Sequence, residues 1–403
     1  MRVSSSTIFE HGVNNMLARQ HEVLTTQNHI STGRRVLTPS DDPVAASQML
    51  DVTEAKEVNK QFAENAATVK ARLGQQEVAL SAIARLIQDV QSRVVQAGDG
   101  ALSATDLRSI AEEVDGRYQE LLGLANATDG SGEYLFAGFR TGNQPFAETA
   151  PGVVAYFGDE GKREVPVSAS RTIAINDPGS EILQRIKNGN GTFVTAAGAG
   201  NAGTGVVSAG SVTDATALTG DTYSITFAVT ASGTTYSVVD NATATTVVNN
   251  ATYVAGGPIA FAGMQLAIDG APANGDSFSV QPSGNVSLFA TLDGLRSTLR
   301  AAGTGAVANT QLTNGLNTAH ANLRNALDRV LSVTASVGTR LRETEAITAT
   351  SEDLDLSYQT RLSQLGDLDY ARAISDLTFQ QMHLEAAQKA FLRVSGLSLF
   401  NLI

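Results

Sequence analysis

The chain has 403 residues, 42% of them hydrophobic, a formal net charge of −12 and no cysteine. It is long enough for two or three domains with their own cores, and its acidity, without any basic stripe, argues against a nucleic-acid partner, which needs cationic side chains to meet phosphate. The lack of cysteine excludes a disulfide framework and a thiolate metal site.

Residues Met1–Ile8 have no continuous apolar core followed by a small-residue cleavage site, so a cleaved secretory signal is not expected there. No window is long and apolar enough to suggest a membrane span. From Phe9 an apolar stripe repeats every seven residues through Met16, Val23, Ile30 and Leu37, the mark of a helix that hides one seam against another helix. Val13, Leu17 and Leu24 widen this face beyond the needs of a two-helix seam, so a second side also seeks burial. Ser31-Thr32-Gly33 ends the helix with a glycine suited to a C-terminal cap. Thr38-Pro39-Ser40-Asp41-Asp42-Pro43 then reads as a turn and a helix start, with Ser40 or Asp41 placed to accept from the first free amides.

A long helix is predicted from about Val44 to about Ala97. Its stripe, Val52, Ala55, Asn59, Phe62, Ala66, Val69, Leu73, Gln76, Leu80, Ile83, Ile87, Val90 and Val94, alternates steps of three and four, giving a rod of roughly 75–80 Å. Gly98-Asp99-Gly100 stops it. A third helix, from about Thr105 to Ala125, carries Leu107, Ile110, Val114, Tyr118 and Leu121 on one face, with Asp106 in its first turn, where the helix dipole favours an anion.

From Thr128 to Gly284 the chain turns to Gly, Thr, Ser, Ala and Val. Alternating runs such as Tyr223–Val229 and Thr235–Val239, separated by turn clusters such as Asn274-Gly275-Asp276, predict antiparallel sheet, with a smaller hairpin unit over residues 153–175. Helix returns at Val286 with Leu288, Phe289, Leu292, Leu295 and Leu299 and breaks at Gly303–Gly305. It resumes with Leu316, Leu323, Val330 and Val337, suited to lie antiparallel beside the first rod. The pattern can run on past Leu354 and Leu365 into a last helix with Ile374, Leu377, Leu384, Phe391 and Val394 on its apolar face, before an apolar tail with Leu397, Leu399 and Phe400.

The expected fold is α + β and multidomain: a long antiparallel helical bundle formed by the N- and C-terminal parts, with a β-rich domain inserted in the middle. The expected divisions are 1–43 with 351–403 as a terminal coiled-coil assembly domain, 44–180 with 286–350 as a helical rod carrying the small hairpin unit, and 181–285 as the outer β domain. Heptad stripes at both ends make each other the natural partner and point to an assembly protein rather than an enzyme. The candidate assembly residues are Phe9, Met16, Val23, Ile30, Ile374, Leu377, Leu384, Phe391, Leu397, Leu399 and Phe400. Burying a seam side chain contributes about 1.5–3 kcal/mol, while ordering each residue's backbone costs about 1–2 kcal/mol. A lone terminal hairpin is therefore marginal, and its spare apolar positions call for neighbouring subunits; the termini are expected to fold on assembly.

No chemistry-bearing constellation stands out. Gly198-Ala199-Gly200-Asn201-Ala202-Gly203 fits the spacing of a dinucleotide fingerprint, but Thr204–Ala217 lacks the helical period such a site requires, so a loop is the better reading. His11, His21, His29, His320 and His383 form no i, i+4 pair for a metal. The carboxylate pairs Asp41-Asp42, Glu112-Glu113 and Asp353 with Asp355 sit at helix starts or on helix faces, where they are ordinarily solvated. No catalytic residue, cofactor or metal is expected.

The run Ile30-Ser31-Thr32-Gly33-Arg34-Arg35-Val36-Leu37-Thr38-Pro39-Ser40-Asp41-Asp42-Pro43-Val44-Ala45-Ala46 resembles the N-terminal signature of the flagellin superfamily and, more narrowly, of its hook-associated, hook–filament junction branch. Three further stretches agree in order: Asp129–Gly138, Asp367–Leu377 and Leu397–Ile403. The resemblance covers roughly half the chain, and about Thr192 to Thr252 resembles nothing recognisable. It implies an inner coiled coil of terminal helices, a helical rod and a projecting β domain. The implied role is a structural subunit that self-associates into a ring, with a hook-side hook-associated protein on one surface and flagellin on another. Location in the extracellular flagellum, export through the flagellar type III apparatus and an export chaperone on the C-terminal helices are implied as well. The rival readings are a filament-forming flagellin and, further off, a surface adhesin.

Overall fold

The computed structural model describes residues 5–399, with side chains from residue 9 to residue 393. In chain order the helices are α1 (Ser5–Thr32), α2 (Pro43–Ala97), α3 (Ala104–Ala125), α4 (Gly179–Leu183), α5 (Leu288–Arg300), α6 (Ala306–Gly366) and α7 (Tyr370–Leu399). The end of α1 follows the local chemistry read from the sequence, whereas α2 is capped by Asp42 rather than by Ser40 or Asp41. α1 stops where Gly33 takes φ +70° and donates its N–H to the His29 carbonyl at 2.9 Å. α3 starts on a reciprocal cap, in which the Ser103 hydroxyl accepts from the Asp106 amide and the Asp106 carboxylate accepts from the Ser103 amide. α6 runs without interruption past Leu354 to Gly366, so the last break in the helical pattern falls at residues 367–369.

The chain divides into two compact units: residues up to Asn65 with those from Ala346, and Ala66–Glu345. The first holds α1, α7, the opening stretch of α2 and the closing stretch of α6. Within it α2 and α6 run antiparallel, since Lys56 reaches Asp355 at 3.8 Å and Asn59 reaches Ser351.

The second unit has two hydrophobic cores. In its helical part the predicted stripe of α2 goes inward, with Val69, Leu73, Leu80, Ile83, Ile87 and Val90 all buried. Leu107, Ile110 and Val114 of α3, Leu288, Phe289 and Leu292 of α5 and Leu323, Val330 and Val337 of α6 are buried too. Phe289 sits edge-on to Tyr118 at 5.9 Å between ring centres and tilted against Phe146 at 5.6 Å. The small hairpin unit expected from residue 153 begins earlier and is two hairpins, β1 (Phe146–Ala150) with β2 (Val153–Tyr156) and β3 (Glu164–Ser168) with β4 (Arg171–Ala174). It starts at Phe146 because that ring is fully buried in the cluster around Phe289. Asp177 ties this region to both long helices, accepting from Gln76 at 2.7 Å and pairing with the Arg340 guanidinium.

The other core belongs to the inserted β domain, entered through a narrow neck where β5 (Ile186–Lys187) pairs with β15 (Asn285–Val286). Between them lie β6 (Phe193–Ala197), β7 (Val206–Val207), β8 (Ser211–Val212), β9 (Tyr223–Thr230), β10 (Gly233–Asp240), β11 (Thr245–Thr252), β12 (Pro258–Phe261), β13 (Met264–Asp269) and β14 (Ser277–Pro282). One antiparallel sheet has the order β11-β10-β9-β14-β6; the other has β12-β13-β7, with β8 also on β13. The alternation read in the sequence is the one the sheet uses: Tyr223, Ile225 and Phe227 of β9 point inward to join Phe193, Phe261, Ile268 and Phe278.

Candidate assembly surface

The loop between α1 and α2 organises the first unit. Its backbone joins the α6–α7 connection directly: the Arg35 amide donates to the Gly366 carbonyl at 2.7 Å and the Leu368 amide to the Gly33 carbonyl at 3.0 Å. The Asp41 carboxylate accepts from the amides of Leu37 (3.0 Å) and Thr38 (2.8 Å), and Asp42 caps α2 by accepting from Ala45 at 3.0 Å. Arg35 reaches Asp42 at 3.0 Å and the Leu365 carbonyl at 2.6 Å. These contacts hold both carboxyls below their ordinary range, Asp41 chiefly through the Thr38 and Leu37 amides and Asp42 through the Ala45 amide and then Arg35.

From this loop α1 and α7 extend as an antiparallel pair. The Thr26 hydroxyl donates to Gln380 at 2.8 Å, and the Phe9 and Phe391 rings lie 5.1 Å apart. Gly12 lets Phe391 lie against the α1 backbone, since a Cβ there would meet the ring at 2.6 Å. Of the candidate residues, Val23 is buried in the pair, while Met16, Ile30, Leu377, Leu384 and Phe391 are half-buried. Phe9 and Ile374 keep 54% and 53% of their surface exposed. The side chains of Leu397 and Leu399, and Phe400 altogether, lie outside the described residues.

A two-helix seam accounts for only part of the apolar surface. Leu17 and Leu24 on α1 and Phe379, Met382 and Leu392 on α7 are each more than half exposed. Sequence reasoning missed further exposed apolar side chains of this unit, Leu50 and Val58 on α2 and Leu356 on α6, and Leu354, expected in the helical pattern, also faces outward while polar groups occupy the seam. Asn59 donates to the Ser351 carbonyl at 2.8 Å and accepts from the Ser351 hydroxyl at 3.0 Å, both residues buried. The available signal was Asn59 inside an otherwise apolar stripe. Exposed apolar side chains in such number make this unit the candidate interaction surface.

The Gly198–Gly203 loop is filled from within: the buried Asp276 carboxylate accepts from the amides of Ala202 (2.8 Å), Gly203 (3.0 Å) and Ala273 (2.8 Å), the donors a phosphate would need. The chain leaves it into β7 and not into an α-helix. Among the described residues no group of three or more His, Asp or Glu could hold a metal ion, and no helix is long and apolar enough to cross a membrane.

Residues 4–141 match a family model described as the bacterial flagellin N-terminal helical region. Residues 196–282, where the sequence alone suggested no relative over most of the span, match one described as the D2-like domain of flagellar hook-associated protein 1. The flagellar hook-associated protein 3 of Escherichia coli (strain K12) is 28% identical over 408 residues, spanning 100% of this chain and 99% of its own length. Among solved structures, Xanthomonas campestris FlgL is 34% identical with a TM-score of 0.71, covering 77% of this chain and 99% of that one. The flagellar junction protein FlgL of Legionella pneumophila is 29% identical with a TM-score of 0.72, covering 80% and 100%. The same arrangement of long terminal helices around a β-rich middle therefore recurs in proteins of this kind.

Proposed function

This chain belongs to the FlgL family of flagellar hook-associated proteins and has a structural role at the hook–filament junction, and from that premise we propose that it works as a non-enzymatic, ring-forming subunit. The observation that carries the reading is the apolar surface left open on the α1–α7 pair: each such side chain, covered by another copy, contributes about 1.5–3 kcal/mol. In this reading the assembly residues are Phe9, Met16, Val23, Ile30, Ile374, Leu377, Leu384 and Phe391, with Leu397, Leu399 and Phe400 of the tail. The division of labour follows the three parts expected from the sequence, with 1–43 and 351–403 for assembly, 44–180 and 286–350 as the helical rod and 181–285 as the β domain.

The ring offers one surface to a hook-side hook-associated protein and another to flagellin. Before assembly the C-terminal helices are held by an export chaperone, and the protein leaves the cell through the flagellar export apparatus. The test is complementation of a strain lacking the protein. The intact chain restores swarming, whereas a chain without its last forty or so residues is soluble and folded in its β domain but restores none. Swarming by the shortened chain refutes the proposal. Electron microscopy of the purified protein separates a closed ring from a filament, since only a filament subunit grows long tubes alone.

A further inference from the structure

The β domain is built to fold by itself, because its core is assembled from its own strands. It joins the helical body through the two-residue pairing of β5 with β15, continued by the bonds of Asn188 with Ser283 and Gly284, and a ribbon only two strands wide holds an orientation weakly by itself. α6 supplies what the neck lacks, through asparagines on one side of the helix. Asn325 donates to the carbonyls of Lys187 (2.7 Å) and Gly189 (2.9 Å), and Asn322 accepts from the Gly189 amide at 3.2 Å. Those two residues grip the neck itself.

Asn314 grips the domain beyond the neck. Its amide accepts from the Val207 N–H at 3.0 Å and donates to the Gly205 carbonyl at 3.0 Å, standing in for a neighbouring strand along β7. Eleven residues of helix separate it from Asn325, roughly 16 Å at 1.5 Å per residue. Beside it α6 presents small and polar side chains, Asn317, Thr318 and Ala321, to a half-open gap of about 30 Å³. Orientation therefore depends on polar contacts that water can replace.

We propose that Asn314 is a latch: with it the β domain is fixed at two points on α6, and without it the domain swings about its neck while remaining folded. The inference does not depend on where the protein acts. It is tested in the full chain with Asn314→Ala, using spin labels on Ser92→Cys and Ser232→Cys, exposed positions in a chain with no cysteine of its own. The expected result is a broadened distance distribution between the labels, with exchange of the Val207 amide roughly tenfold faster and exchange in β9 and β14 unchanged. An unchanged distribution overturns the latch. Faster exchange throughout β9 and β14 overturns it too, because Asn314 would then belong to the domain's folding core.

Discussion

Replacing Gly33 with alanine tests the joint on which the first unit is organised. Gly33 sits at φ +70°, where a side chain costs about 1–2 kcal/mol. The added Cβ would also meet the Tyr370 hydroxyl at 2.8 Å, but that ring is half exposed and can swing aside, so backbone strain decides the effect. The loss falls on the two backbone hydrogen bonds that close the joint, from the Arg35 amide to the Gly366 carbonyl and from the Leu368 amide to the Gly33 carbonyl. A penalty of that size raises the open fraction roughly 5–30-fold. Amide exchange reads it directly: the Arg35 and Leu368 amides should exchange faster by that factor, while amides of α3 hold their rate. Gly33→Asn, which tolerates the left-handed region better, should fall between glycine and alanine. Unchanged protection at Arg35 and Leu368 in the alanine variant would refute the reasoning.

Three other outcomes are expected. Asp276→Asn presents an N–H₂ to a loop that already offers three donors and loses charge-assisted bonds worth about 1.5–3 kcal/mol each, so the β domain's denaturation midpoint should fall while that of the helical part holds. Phe289→Ala empties the site between Tyr118 and Phe146 and should cost about 3–5 kcal/mol in the helical part, measured by chemical denaturation. The Asp41 and Asp42 carboxyls are lowered in the fold, so their support for the α1–α2 loop is present above the unfolded value of about 3.9 and is lost as pH falls through the lowered values. Cleavage of the loop by an acid protease should rise steeply below about pH 4. A chain with Asp41→Asn and Asp42→Asn should show already at neutral pH, with a tolerant protease, the susceptibility that the native chain acquires only in acid.

Local signals carried well into the structure because the physics that writes them is local. A glycine past the last apolar position marked the end of α1, Asp106 marked the first turn of α3, and the steps of three and four through Val69, Leu73, Leu80 and Ile83 named the buried face of α2. What stayed hidden depends on partners far along the chain. Asn59 and Gln76 were visible as polar members of a stripe, but Ser351 lies 292 residues from Asn59 and Asp177 lies 101 from Gln76, separations across which no periodicity speaks. The outward Leu50, Val58 and Leu356 were missed for a related reason: on α2 and α6 the stripe shows which side is apolar, and scattered apolar residues off it gain meaning only once the stripe has found its partner. Asn314, Asn322 and Asn325 of α6 gain a role only when the neck of the β domain is seen against them.

The Asn59–Ser351 handshake has a bearing on sliding. If α2 and α6 crept past one another by a single helical turn, about 5.4 Å, an amide and a hydroxyl would be left facing groups that cannot satisfy them, at about 1–3 kcal/mol for each. Greasy substitutes at both places would tolerate more heat yet welcome neighbouring alignments. The protein has thus accepted a softer grip in exchange for a single resting position, much as a notch keeps two smooth rods from creeping.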